Sequence, residues 1–175
     1  NGLPPRSLWE LVLHSWDTAN SLEEGASYSV FQKWILADGK LYLAELLRKR
    51  MQYPELKRVV FKLIECDHPD HVLVERASTG QSLGDELFEY YPPFERRQKV
   101  PLIKPILSKE DRAVGVSALI EAGVVLLPLD APFLNALGSE IRAFPGGAFD
   151  DQVDAMTQAI WFYDKVYRIR QLRGY

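Results

Sequence analysis

Cysteine is almost absent from the sequence: Cys66 stands alone. That excludes an internal disulfide framework and fits a reducing compartment. Cys66 itself is expected to be a small buried hydrophobe on a helix. Long apolar runs are missing too, since none approaches the roughly 18 residues a membrane-crossing helix needs. The first residues lack the basic-then-apolar order of a secretory leader. There is no internal repeat, low-complexity tract or interdomain linker. The expectation is a cytosolic globular chain forming a single domain over residues 1–175. An excess of positive charge is also lacking: 21 Lys and Arg face 24 Asp and Glu, a formal net charge of −3. Nucleic-acid binders usually carry a basic surface. A nucleic-acid function would therefore need its cations clustered, with acids gathered at a separate task such as metal binding.

What is present suffices for a full core, because 47% of residues are hydrophobic and 11% aromatic. Residues 7–17, rich in apolar side chains and tryptophan, read as a strand ending at Asp17. Residues 27–37 and 40–47 are two further apolar runs. Between them Asp38-Gly39 is a strong hairpin signal, since glycine accepts the positive φ of a two-residue turn. Tyr53-Pro54-Glu55-Leu56 opens a helix with proline in its first turn, and Leu56, Val59, Val60, Leu63 and Ile64 form its apolar stripe. Residues 71–75 read as a short buried strand, and 81–90 as a helix broken by Pro92-Pro93. A strand over 100–106 follows, then a helix capped by Ser108 and stopped at Gly123. After a strand over 124–127 come helices over 132–144 and from about Asp150 to about Arg170. Strands and a hairpin first, then alternating helices and strands, predict an α/β domain: a mixed sheet, antiparallel at its start and parallel later, with helices on both faces.

Three acidic features stand out. Asp17 ends the first strand, where a polar group at the sheet edge meets solvent. Glu75 directly follows Val72-Leu73-Val74, and burying it requires a partner such as Arg76 or a metal ion. Asp150-Asp151-Gln152-Val153-Asp154 opens the last helix, where acids serve capping and the helix dipole. Yet like charges at i,i+3 and i,i+4 repel, and a cation would relieve that. Carboxylate oxygens are what Mg²⁺ and Mn²⁺ choose. Two such ions can activate water and stabilise the leaving oxygen in phosphodiester cleavage. Asp17, Glu75 and Asp151 are candidates for that work, with Asp154 and Asp150 as further ligands. Arg76, Lys104, Lys109 and Arg112 are the candidates for contacting DNA phosphates, while Arg48-Lys49-Arg50 is placed elsewhere. His14, His68 and His71 lack ligand spacing.

Ser-Trp-Asp-Thr-Ala at 15–19, Tyr53-Pro54-Glu55-Leu56, Val-Leu-Val-Glu at 72–75, Ser78-Thr79-Gly80-Gln81-Ser82-Leu83, Lys109-Glu110-Asp111-Arg112-Ala113 and Phe144-Pro145 before Asp-Asp-Gln-Val-Asp-Ala at 150–155 occur in one order. Together they resemble the C-terminal nuclease domain of phage terminase large subunits. The resemblance covers nearly the whole chain. It implies an RNase H-like fold and endonuclease cleavage of concatemeric double-stranded viral DNA during packaging, in the host cytoplasm; no base-reading element is evident in the sequence, so little sequence specificity is expected. It also implies Asp17 as the ligand shared by two Mg²⁺ or Mn²⁺ ions, Glu75 as the second-strand ligand and Asp151 as the helix ligand. Expected partners are DNA, an ATPase domain of the same protein, a small terminase subunit and a portal. Two positions depart from the family: Phe149 stands where histidine is usual, and Ser108 where an acid is usual. No Gly-x-x-x-x-Gly-Lys-Ser/Thr phosphate-binding loop occurs, so an excised domain without its ATPase is expected. A structure-selective resolvase of the same fold, or a non-catalytic DNA-binding module, are the alternative readings.

Overall fold

In a computed structural model of the chain, residues 2–18, 28–75, 79–100, 102–103 and 108–169 are described. After a short 3-10 turn at Arg6–Leu8, strand β1 spans Leu11–Asp17, β2 Ser29–Ala37 and β3 Lys40–Lys49. The hairpin between β2 and β3 turns on Asp38 (φ 50°) and Gly39 (φ 67°), the two positive φ values that a type I′ turn demands. Helix α1 (Tyr53–Asp67) leads to β4 (His71–Glu75), then α2 (Thr79–Tyr90), α3 (Arg96–Lys99), β5 (Leu102–Ile103) and α4 (Lys109–Glu121). Strand β6 (Val125–Leu126), α5 (Leu134–Ala143) and α6 (Asp151–Phe162) complete the order, and α6 runs on into a π-helical turn at Tyr163–Tyr167.

The sheet has six strands in the order β5-β4-β1-β2-β3-β6. β1 pairs antiparallel with β2 and parallel with β4, and β2 pairs antiparallel with β3. The two-residue strands β5 and β6 join parallel at the edges. The mixed sheet expected from the order of elements is therefore the one observed.

Each face of the sheet builds its own core. On one face Trp16, Phe31, Val72 and Val74 pack with Leu56, Val60 and Ile64 of α1 and with Leu83 and Leu87 of α2. On the other, Leu11, Leu13, Trp34, Leu36, Leu41, Leu43 and Leu73 pack with Val116 of α4, Leu137 of α5 and Met156, Ala159 and Ile160 of α6. The alternation of side chains along a strand makes that partition. Leu11, Leu13 and Ser15 of β1 face α6, so Asp17 faces it too.

Helix α6 is buried along residues 152–160, on polar as well as apolar sides. A run of hydrogen bonds seats its polar side on the sheet. Ser15 Oγ donates to the Ala155 carbonyl (2.8 Å), and Gln158 Nε2 donates to Ser15 Oγ (2.9 Å). Gln32 Nε2 donates to the Gln152 carbonyl (2.8 Å) while Gln32 Oε1 accepts from Trp34 Nε1 (3.0 Å). These bonds hold the helix in one register, because slipping it would leave buried polar groups unmade.

Several sequence expectations need correction. Ser7 lies in the 3-10 turn rather than in β1, and residues 96–99 form a helical turn for which no element is expected. Among the described residues the strand expected over 100–106 is limited to Leu102–Ile103. Cys66 sits on α1 as expected but is exposed; the buried stripe of that helix is Leu56, Val60 and Ile64, and Cys66 falls off it. Replacing Gln32 with Leu leaves Trp34 Nε1 buried without its acceptor and the Gln152 carbonyl without its cross-bond. Gln32→Leu should cost about 1–3 kcal/mol in urea-induced unfolding; a change under ~0.5 kcal/mol would show that this seam does not hold α6.

Candidate active site

The strand register sets one row of residues across the sheet. Trp16 pairs with Val74, which puts Glu75 beside Asp17, and Asp17 pairs with Val30, which pairs in turn with Arg48. Asp17, Glu75, Val30 and Arg48 lie on the face covered by α6. Glycine at position 80 lets α2 begin close under this row. A Cβ there would collide with the Glu75 carbonyl oxygen, and would lie 3.0 Å from Thr18 Oγ1 and 3.2 Å from Val74 Cγ1.

Above the row stands the amino end of α6. The first N–H groups of a helix have no partner within it, and here Glu140 of α5 provides one. Glu140 Oε1 accepts from the backbone N–H of Gln152 (2.5 Å) and of Val153 (3.1 Å), and Oε2 accepts from Gln152 Nε2 (2.6 Å). Asp150 occupies the cap position without a side-chain cap bond. The aspartates of the cluster are thereby released from capping and turn to cations.

Those cations come mainly from α4. Ser108 caps that helix, its Oγ accepting from the Asp111 N–H (3.0 Å), and Lys109 and Arg112, one turn apart, face α6. Lys109 Nζ lies 2.8 Å from Asp150 Oδ2 and 2.5 Å from Asp154 Oδ2. Arg112 bridges two elements: its Nη1 is 3.3 Å from Glu75 Oε2 and its Nη2 3.3 Å from Asp154 Oδ1. Asp151 instead faces Arg48, whose Nη2 is 3.5 Å from Asp151 Oδ2 and 3.9 Å from Glu140 Oε2. At that separation the pair is an ionic contact, and Asp151 Oδ2 has no hydrogen bond. The Arg48 guanidinium lies against the rings of Tyr28 (3.9 Å) and Phe149 (4.7 Å), which meet each other edge to face (5.5 Å), and these cation–π contacts help to fix its position.

Asp17 differs from the other acids: among the described residues it forms no ion pair. Burial, then repulsion from Asp154 and Asp151, holds its pKa well above the usual carboxylate value of 3.8, and Lys109 only partly offsets them. Asp151 is raised by burial and by the neighbouring Glu140, and Asp154 by burial against the pull of Lys109. The whole site is electrostatically short of positive charge.

Hard carboxylate oxygens on two adjacent strand ends and one helix are a donor set suited to a divalent metal. The ammonium of Lys109 already stands in among them as a cation. The side-chain orientations belong to this Lys- and Arg-paired arrangement. As they stand, no three His, Cys, Asp or Glu among the described residues are gathered closely enough to hold a metal.

Of the predicted residues, Asp17, Glu75, Asp150, Asp151 and Asp154 all come to this end of the sheet, with Asp154 joined to Glu75 through Arg112 and Asp151 turned towards Arg48. Lys109 and Arg112 are here too, but their charges are engaged by carboxylates, and Arg112 is only 5% exposed. Arg76 and Lys104 lie outside the described residues. Two participants escape a reading of the sequence. Arg48, placed elsewhere by that reading, sits in the row because a register shift between Lys33 and Trp34 displaces β3 by one residue. Glu140 lies on a different helix from the one it caps, and no local signal marks it. His14, on the opposite face, is buried against Asp67 (2.9 Å) and takes no part.

Residues 14–161 match the family described as the terminase RNaseH-like domain. No curated protein sequence matches the chain. Among solved structures, the large terminase from a thermophilic bacteriophage is similar with a TM-score of 0.64 at 18% identity, over 94% of this chain and 42% of that one. The human cytomegalovirus terminase nuclease domain, soaked with Mn and bound to an inhibitor, is similar with a TM-score of 0.63 at 12% identity, over 94% and 88%. The fowlpox virus resolvase in complex with a Holliday junction is similar with a TM-score of 0.56 at 11% identity, over 89% and 99%. The chain thus spans about two fifths of the length of the phage large terminase it matches. The likeness establishes the RNase H-like fold expected from the sequence.

The raised acids have a stability consequence. A carboxyl whose folded pKa exceeds its ordinary value binds its proton more tightly folded than unfolded, so stability falls as pH rises from 3.8 through the raised value. In EDTA, Asp17→Asn should therefore melt at a higher temperature than the parent at about pH 7, with the gain shrinking as pH falls towards about 4. A variant less stable than the parent at neutral pH would contradict the electrostatic account.

Proposed function

Because this chain belongs to the terminase RNase H-like domain family, we propose that it is a metal-dependent endonuclease that cuts concatemeric double-stranded viral DNA during genome packaging. The observation that carries this reading is the convergence of Asp17, Glu75 and the α6 aspartates at one end of the sheet, where Asp17 has no cationic partner among the described residues. Asp17 and Glu75, at neighbouring strand ends, would hold divalent ions, Mg²⁺ or Mn²⁺, together with Asp154 and Asp151 from α6. A pair of such ions, when bound, supplies water activation and charge stabilisation at the leaving oxygen.

The chain's own residues set the frame for that chemistry. Arg112 ties Glu75 on β4 to Asp154 on α6, fixing the spacing between sheet and helix. Arg48 lies between Asp151 and Glu140 and offsets their repulsion. Lys109, with 46% of its side chain exposed, is placed to meet a phosphate, and Arg76 and Lys104 are candidates for the same contact. No base-reading element projects from this end among the described residues, which favours cleavage with little sequence specificity. An ATPase domain, a small terminase subunit and a portal are the partners such a nuclease would work with, in the cytoplasm of the host.

Incubated with plasmid DNA and Mn²⁺, the protein should yield nicked and linear products, and EDTA should stop the reaction. Asp17→Ala and Glu75→Ala should each lower the rate by at least about 100-fold, the scale of losing several kcal/mol of charge stabilisation. Circular dichroism of each variant should match the parent. Undiminished cutting by Asp17→Ala, or in EDTA, sinks the proposal. A marked preference for branched over linear duplex would instead assign a resolvase. DNA binding without cleavage, and without any Mn²⁺-linked gain in thermal stability, would assign a binding module.

A further inference from the structure

Lys109 and Arg112 share Asp154, yet they are held very differently. Arg112 is buried, with 6% of its side chain exposed, and its two terminal nitrogens are divided between Glu75 and Asp154. Lys109 has 46% of its side chain in solvent and reaches in with only its ammonium. That ammonium takes one oxygen each of Asp150 and Asp154. Asp154 is itself 4% exposed, so both of its oxygens are committed to cations, Oδ1 to Arg112 and Oδ2 to Lys109. In this arrangement no three acids among the described residues are gathered closely enough to hold a metal.

We propose that Lys109 is a tethered counter-ion, holding Asp150 and Asp154 when no divalent ion is bound and giving up Asp154 Oδ2 when one enters. The inference rests on the metal reading above and adds a step to it: metal binding at this site is an exchange of one cation for another. Lys109 is the exchangeable one on three grounds. It sits at the start of α4, where its backbone is fixed by the Ser108 cap but its stem is exposed. Release costs little, because a side chain that is already half in water can carry its ammonium out to full hydration. Arg112 has no such route, because withdrawing it would leave the buried Asp154 beside the half-buried Glu75 without the cation that joins them.

An internal competitor weakens the affinity of the ligand it competes with. Mn²⁺ titrated by calorimetry into the parent protein, Lys109→Met, Lys109→Arg and Lys62→Met tests this directly. Lys62 is exposed on α1 across the sheet and controls for net charge. Lys109→Met should bind Mn²⁺ about three- to fivefold more tightly than the parent, the upper scale of an exposed ion pair. Lys62→Met should stay within about twofold, and Lys109→Arg close to the parent. In EDTA, Lys109→Met should also melt below Lys62→Met, since Asp150 and Asp154 lose their ammonium, and Mn²⁺ should raise its melting temperature more than it raises the parent's. Equal or weaker Mn²⁺ affinity in Lys109→Met overturns the exchange while leaving the metal reading intact. Failure of every one of these proteins to bind Mn²⁺ overturns both. Binding by Lys109→Met where the parent shows none supports the exchange in its strongest form.

Discussion

The amino end of α6 is buried, and its free N–H groups must be satisfied inside the protein. Glu140 meets that demand from a neighbouring helix, accepting from the N–H groups of Gln152 and Val153. Much of the site follows from that one interaction. An aspartate at the cap position ordinarily commits its side chain to those same N–H groups. With Glu140 in place, Asp150, Asp151 and Asp154 are free to point at the sheet and at α4. The consequence is crowding: Glu140 stands close enough to Asp151 to raise its pKa, and Asp154 and Asp151 do the same to Asp17. The cations Arg48, Lys109 and Arg112 are the structural response, each placed against one part of that charge.

The sheet contributes the other half through parity. Side chains alternate, so a one-residue change in register moves every later side chain to the opposite face. Between Lys33 and Trp34 the pairing of β2 with β3 shifts by one residue. Before the shift Leu41 and Leu43 face α6; after it Leu46 packs there, while Leu47 packs on the opposite core. Arg48 pairs with Val30 because of that shift. An unbroken ladder would have put Leu47 in the row with Asp17 and sent Arg48 to the α1 side. A bulge that re-aims one side chain beside a polar site is a recurrent use of this irregularity.

These two features explain what could be read in the sequence and what could not. The hairpin at Asp38-Gly39, the strand ending at Glu75, the Ser108 cap and the gathering of Asp17, Glu75 and the α6 aspartates were legible, because each has a local signature in spacing, turn chemistry or hydrophobic period. Arg48 was not, since a bulge in a well-patterned strand leaves no mark in composition. Glu140 was not, because a cap donated across space looks like any helix-surface acid until α5 and α6 are docked. Cys66 was misjudged for a related reason: the phase of α1 is set by Leu56, Val60 and Ile64, and one position off that stripe is solvent. The short helix over 96–99 lay hidden in a charged stretch whose side chains find local partners, Arg96 bonding Glu89 and the Tyr91 carbonyl.

The net charge of −3 finds its place in the same picture. Overall charge is a poor guide to a site where acids are gathered and the cations among them offset only part of their charge. The choice of cation at each position then carries meaning. A guanidinium is planar and can serve two carboxylates from fixed directions, so it suits Arg112, which joins a strand to a helix, and Arg48, which rests against the rings of Tyr28 and Phe149. An ammonium is a compact point charge on a flexible stem, able to bind in one place and rehydrate in another. Arginine fills the two enclosed positions, where loss of charge would leave buried acids unpaired. Lysine fills the position whose stem is open to water. The scaffold of the site is thus held by charges that stay, and its responsiveness to an arriving cation is confined to the one described charge beside Asp154 that has somewhere else to go.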